Sequence, residues 1–230
     1  MGASGGGREL SGELTPPSLD ALLPADFLVE WGDPREVVSA PLAEELALVA
    51  SAVPKRRNEF LQGRQCACAA LRRLGLPTGP ILVGSKREPL WPEGVVGSIT
   101  HCDDRCAAVV TRSRAYAGVG IDLEPAKELE RAVAGRVATL AEMQALPALS
   151  PLLAARLVFS AKESFYKCQF ALTRAWLDFR DVAIELDPDG AFGVRLLVGA
   201  GELAPGTRFT GAWHMSDDHL FTAIALESKR

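Results

Sequence analysis

Gly118-Val119-Gly120-Ile121-Asp122-Leu123-Glu124-Pro125 reads as the end of an apolar β-strand, Ala117 to Leu123, that stops at a proline. Residues two apart on a strand face the same way, so Asp122 and Glu124 project together with Cα atoms roughly 6.5 Å apart. Two like charges on an apolar strand repel unless a cation or donor intervenes. Oxygen ligands in this number suit Mg²⁺ completed by water and substrate phosphates. The plain alternative is a solvated strand end at a turn.

Outward from this strand, helical and strand signals alternate on both sides, with no convincing internal repeat in the sequence itself. Upstream, helical spacing of Leu42, Leu46 and Val49 runs from Pro41 to Pro54, and a second helical stretch from Arg56 to Leu74 is stopped by Gly75 and Pro77. Short apolar runs between Ile81 and Val110 are broken by glycines and prolines, and Val95–Ile99 and Ala107–Val110 read as paired strands. Downstream, the chain turns helical over Arg131–Leu140 and again over Leu152–Phe170. Strands follow at Val182–Leu186, Phe192–Val198, Phe209–His214 and His219–Leu226, with turns at Asp187-Pro188-Asp189-Gly190 and Ser216-Asp217-Asp218. The order helix, strands, helix, strands predicts an α+β protein of two halves, each an antiparallel sheet packed on a long helix. The boundary falls near Arg112–Ala117, giving a Gly-, Ser- and Pro-rich tail over 1–18, a first lobe over 19–115 and a second over 116–230.

Composition excludes several functions. With 48% hydrophobic and 23% charged residues the chain has a globular make-up, and its net charge of −4 lacks the basic excess that nucleic acid demands. Any anionic ligand must meet a local basic cluster. No apolar run approaches the roughly 18 residues of a membrane span and no signal peptide is apparent, so a cytoplasmic location is expected. The start Met1-Gly2-Ala3-Ser4-Gly5-Gly6 departs from a myristoylation signal at Gly6. Five cysteines, none spaced Cys-x-x-Cys, are expected to be reduced and mostly buried.

Three further clusters bear on chemistry. In Phe159-Ser160-Ala161-Lys162-Glu163-Ser164-Phe165-Tyr166-Lys167, helical geometry gathers Arg156, Ser160, Glu163 and Lys167 on one side and Ala154, Leu157, Val158, Ala161, Phe165, Cys168 and Leu172 on the other. Glu163 and Lys167 are then either an i,i+4 surface ion pair or catalytic groups. Gly97-Ser98-Ile99-Thr100-His101-Cys102 carries a histidine off a strand end, where it is either structural or a phosphate donor helped by the Lys86-Arg87 turn. Arg56, Arg57 and Arg64 lie on a helix start, Arg57 and Arg64 on one face, as a solvated surface or a phosphate clamp.

Together these segments, from Arg56 to Trp176, resemble the Sfp-type 4′-phosphopantetheinyl transferase family. The most specific pieces are Gly120-Ile121-Asp122-Leu123-Glu124 and, some forty residues later, Phe159-Ser160-Ala161-Lys162-Glu163 followed by Lys167. The segment from Glu88 to Cys102 resembles the enterobactin-synthase-like, actinobacterial members. The chain departs from the family in having Thr100-His101 for a Ser-His pair and Phe159 for a tryptophan. The resemblance implies a pseudosymmetric two-lobed monomer with coenzyme A in the cleft between lobes. Asp122, Glu124 and Glu163 would bind Mg²⁺. Glu163 would be the base toward a serine of an acyl or peptidyl carrier protein, and Lys167 would meet the departing 3′,5′-ADP. Arg56, Arg64, Lys86, Thr100, His101, Lys162 and Lys167 would bind the coenzyme. Its partners would be carrier domains of fatty-acid, polyketide or nonribosomal-peptide synthases, docking on the second lobe. A metal-dependent phosphodiester hydrolase and a silent coenzyme A binding module are the competing readings, and the complete set Asp122, Glu124, Glu163 and Lys167 argues against the second.

Overall fold

Two antiparallel sheets carry the fold in the computed structural model, which describes residues 19–228. The expected tail over 1–18 lies outside the described residues. The first sheet has strands β1 (Leu28–Gly32), β2 (Val95–His101) and β3 (Cys106–Arg112) in the order β1-β3-β2. β3 is central and buried on both faces. Its Cys106, Ala108 and Val110 pack against Ala67, Ala70 and Leu71 of helix α3 (Pro54–Arg73), while Ala107 and Val109 face the second half of the chain. Before α3 come two short helices, α1 (Leu19–Leu22) and α2 (Ala43–Leu48).

The second sheet begins with β4 (Tyr116–Pro125). Three helices follow, α4 (Arg131–Val137), α5 (Leu140–Met143) and α6 (Pro151–Thr173). A short 3₁₀ turn then leads into β5 (Val182–Leu186), β6 (Ala191–Leu196), β7 (Arg208–Met215) and β8 (His219–Glu227), in the order β4-β8-β7-β6-β5. α6 starts at Pro151 behind the Ser150 cap, whose hydroxyl accepts from the Leu153 N–H, and ends at Arg174 in the left-handed region. Its Val158, Ala161, Phe165 and Cys168 meet Ile184, Phe192, Val194 and Ile224 of the sheet.

Gly118 and Gly120 let α6 sit directly on β4. A Cβ on Gly120 would overlap the Ser164 carbonyl oxygen, and one on Gly118 would lie 2.7 Å from that of Cys168. This close approach sets the height of α6 over the strand that carries Asp122 and Glu124.

The sheets meet edge to edge. β2 and β4 lie side by side without a backbone ladder; instead Ser98 Oγ accepts from the Ile121 N–H and Thr100 Oγ1 from the Leu123 N–H, both at 3.1 Å. Two hydroxyls at alternate positions of one edge strand thus satisfy two donors of the other. The expected α+β architecture holds, with sheets of unequal size. β1 was not anticipated, the helix expected over Pro41–Pro54 shrinks to α2, and the first apolar run after Ile81 forms only the Val83–Pro89 bridge. Among the described residues no helix is long and apolar enough to cross a membrane.

Candidate active site

A cleft of about 570 Å³ runs between the sheets, lined by α3, the 83–91 segment, β2 and α6. Six of its side chains are basic, Arg56, Arg64, Lys86, Arg87, Lys167 and Arg174, against the acidic Glu59, Glu88 and Glu163. A chain of net charge −4 therefore concentrates positive charge at one cavity, where a ligand with several phosphates fits.

The α3 row that faces the cleft is Arg56, Phe60 and Arg64, spaced four apart and so stacked along one side of the helix. Arg57, expected on that face, turns away and donates to the carbonyls of Val49 and Ala50 beyond α2. Arg56 Nη1 lies 2.8 Å from His101 Nε2 and 3.3 Å from Glu59 Oε2. A guanidinium only donates, so His101 Nε2 accepts and a neutral ring keeps its proton on Nδ1. Burial holds His101 below the ordinary histidine pKa; Glu59 opposes this and Arg56 reinforces it. Arg64 donates from Nε to the Ile81 carbonyl at 2.9 Å and stacks its guanidinium 3.3 Å from the centre of the Phe60 ring. Burial lowers its pKa to about 10, which leaves it charged at neutral pH. Lys86 stands on the opposite wall, 5.8 Å from the centre of the Trp176 ring.

The carboxylates sit where β4 passes under α6. Asp122 Oδ1 accepts from Lys167 Nζ at 2.7 Å and from Thr100 Oγ1 at 3.2 Å. Its Oδ2 is buried with no hydrogen-bond partner among the described residues. Glu124 Oε2 accepts from Arg156 Nη1 at 2.6 Å, and the rest of that guanidinium holds the Lys127 and Glu128 carbonyls. Burial pushes Glu124 above the usual carboxylate range, Asp122 adds to the push, and Arg156 opposes it. Glu163 is also raised, first by burial, with Lys167 opposing and Asp122 adding. Asp122 thus has an orphaned buried oxygen and repels both glutamates, and this all-oxygen, charge-rich donor set is of the type that suits a hard, oxygen-seeking cation.

Lys167 binds across to the strand, at Asp122 Oδ1 and the Ile121 carbonyl, so the surface ion pair with Glu163 is not formed. Two expected coenzyme ligands have their donors engaged within the protein, although Lys162 also lines a smaller pocket beside Glu163. Lys162 is buried, and its ammonium reaches the Val137 carbonyl at 2.8 Å, the Phe179 carbonyl at 2.9 Å and Glu142 Oε1 at 3.1 Å, which uses all three donors. Thr100 is buried too, with its hydroxyl occupied by Asp122 and Leu123, so it joins the sheets rather than facing a phosphate.

Sequence reasoning gave no role to Arg156, Glu59, Tyr166 or Arg174. The i, i+4, i+7 relation of Arg156, Ser160 and Glu163 was a signal for the first, although Ser160 proves fully buried against Thr222. Beside Glu163, on its other flank, lies a pocket of about 220 Å³ walled by Phe165, Tyr166, Trp176, Leu177, Phe179 and Val182. Glu163 and Tyr166 line both cavities, and the Tyr166 hydroxyl is buried without a partner among the described residues.

A model of the 4′-phosphopantetheinyl transferase N-terminal domain matches residues 44–111, and one of the 4′-phosphopantetheinyl transferase superfamily matches residues 118–223. The 4′-phosphopantetheinyl transferase PptT of Mycobacterium tuberculosis is 43% identical over 81% of this chain and 86% of its own length. For the 4′-phosphopantetheinyl transferase Svp of Streptomyces mobaraensis the identity is 43%, over 90% of this chain and 88% of that one. Enterobactin synthase component D of Salmonella typhimurium is 46% identical over 51% of this chain and 50% of its own. The two matched segments fall on the two sheets that form the basic cleft, and by their combined length and these relatives the chain belongs to the 4′-phosphopantetheinyl transferase superfamily.

Proposed function

We propose that this transferase moves 4′-phosphopantetheine from coenzyme A to a serine of an apo acyl or peptidyl carrier protein, with Glu163 and Lys167 as its catalytic side chains. The observation that carries this reading is Asp122, one oxygen held by Lys167 and the other buried without a partner among the described residues, beside a cleft rich in arginine and lysine that Lys167 and Glu163 line. Arg56, Arg64, Lys86 and His101 bind the coenzyme phosphates, and the apolar pocket beside Glu163 and Tyr166 takes the uncharged pantetheine arm.

In the reaction the serine oxygen forms a bond to the β-phosphorus while the bond from that phosphorus to the bridging oxygen breaks. The serine proton passes to the Glu163 carboxylate, which lines the cleft as the candidate general base. The bridging oxygen leaves with 3′,5′-ADP. Lys167 has two of its three donors committed to Ile121 and Asp122, and the third meets the charge on that oxygen. Asp122, Glu124 and Glu163 are the residues that would hold Mg²⁺, which when bound supplies charge that screens the pyrophosphate. Both walls of the cleft come from one chain, which supports a monomer; we place it in the cytoplasm.

The test is transfer to an apo carrier protein with and without a divalent-metal chelator. Transfer abolished by chelator, restored by excess Mg²⁺ and absent in Asp122→Ala fits the reading. Full transfer in excess chelator overturns the role of the carboxylates. Release of 3′,5′-ADP in the absence of a carrier protein would make the chain a hydrolase.

A further inference from the structure

The turn between β2 and β3 meets the turn between β7 and β8. The first is closed by the Cys102 N–H donating to the Arg105 carbonyl at 2.8 Å. The second is closed by the Ser216 N–H donating to the His219 carbonyl at 2.8 Å and the His219 N–H donating to Ser216 Oγ at 3.1 Å. Across the gap His219 Nε2 is 2.9 Å from Asp104 Oδ1, and Cys102 Sγ donates to the same oxygen at 3.3 Å. One sulfur, one imidazole nitrogen and one carboxylate oxygen therefore lie within 4.8 Å of one another. Asp104 and His219 are 115 residues apart in sequence, Asp104 in the turn that joins two strands of the first sheet and His219 at the start of a strand of the second.

We propose that Cys102, Asp104 and His219 bind one divalent transition-metal ion of the zinc type, which clasps the two sheets together beside the active site. The donor set decides the class of ion. Thiolate and imidazole select zinc, cobalt or similar borderline metals, whereas Mg²⁺ takes oxygen ligands. Three protein ligands with the half-exposed Asp104 on one side leave a fourth position for water. Both turns are already closed by their own hydrogen bonds, and His219 is buried at the start of β8, so the ligands are held near one another in advance. On binding, the sulfur–metal bond forms as the Cys102 thiol releases its proton to solvent, with no change in oxidation state. Cys102 follows His101 directly, so the ion would also brace the histidine that abuts Arg56 in the cleft. The carboxylates of Asp122, Glu124 and Glu163 take no part, and the site does not depend on the reaction assigned above.

The reduced, metal-stripped full chain should be titrated with Co²⁺ in excess Mg²⁺, which keeps the oxygen-ligand site occupied. The expected result is one equivalent bound with a thiolate-to-cobalt charge-transfer absorption in the near ultraviolet, displaced by Zn²⁺. Cys102→Ser, which keeps the Asp104–His219 contact, should lose that absorption and bind Zn²⁺ at least about tenfold to a hundredfold more weakly, the loss that even an outer-shell partner causes. In the wild type, Zn²⁺ should protect Cys102 from alkylation while Cys68, also partly exposed, reacts at an unchanged rate. No charge-transfer absorption at stoichiometric Co²⁺, the same absorption in Cys102→Ser, or unprotected Cys102 would each overturn the proposal. In any of those cases the cluster is a hydrogen-bonded clasp alone.

Discussion

Glu163 is an anion whose surroundings favour the neutral acid, because burial and Asp122 outweigh the help from Lys167. A carboxyl whose folded pKa is raised contributes stability below its unfolded value, near 4.3, and that contribution is lost as pH rises through the folded pKa. Glu163→Gln does not titrate, so in metal-free buffer its melting temperature should gain on the wild type as pH rises from about 4 toward neutrality. A thermal-denaturation series across that range in chelator checks the sign, and a constant deficit at every pH contradicts it. Turnover of the same variant should fall by roughly 10² or more for loss of the general base. Lys167 carries the opposite stability expectation. Its partner Asp122 has a side chain only 7% exposed, so Lys167→Ala strands a buried carboxylate and should cost about 1–3 kcal/mol, well beyond an exposed helix pair. Denaturant melts read this cost, and assays should show turnover down roughly 10². His101→Ala should weaken coenzyme A binding roughly tenfold to a hundredfold through its contact with Arg56, with a smaller change in turnover at saturation. Calorimetric titration with coenzyme A measures it, and an unchanged affinity would leave His101 a structural role only.

At the scale of elements, the placement of α6 on β4 governs the site, and glycine makes it possible. Gly120→Ala drives a Cβ into the Ser164 carbonyl, so α6 must shift from the strand that holds Asp122 and Glu124. The expected cost is about 3 kcal/mol or more together with loss of activity. Gly135 in α4 is exposed and an added Cβ meets nothing within 4 Å, so Gly135→Ala should instead stabilise by about 0.5–1 kcal/mol. Chemical denaturation of the two variants gives the contrast, and equal effects would refute the packing account. The strand, the helix and their order were legible because a period of 2 ending in Pro125 and a period near 3.6 from Leu152 are strong local signals. β1 was not, since five residues ending in Gly32 show no clean alternation and gain their order from pairing with β3. The internal ion pair of Lys162 was not legible for a related reason. A helical wheel places it beside Glu163, but its burial depends on Glu142, a residue that caps α5 and pairs with it from twenty positions away.

At the scale of the whole molecule, two edge strands joined by Ser98 and Thr100 bring the basic face of α3 against the acidic end of β4 and the C-terminal half of α6. The residue types of the site were legible, because carboxylates two apart on a strand and a Glu–Lys pair on a helix persist in any register. Their division of labour was not. Whether Lys167 faces Glu163 or Asp122, and whether Thr100 meets a phosphate or a backbone N–H, depends on how the two sheets abut, which no local period encodes. The central claim is that this junction assembles a transferase acting on a carrier protein. Its most direct test is intact-protein mass spectrometry of apo carrier proteins incubated with the chain, coenzyme A and Mg²⁺. The account predicts that at least one carrier gains the mass of a single phosphopantetheine at its serine, matched by one 3′,5′-ADP released, and that Glu163→Gln modifies it at least roughly a hundredfold more slowly. Coenzyme A cleaved with every carrier unchanged, or a carrier modified equally by Glu163→Gln, would contradict it.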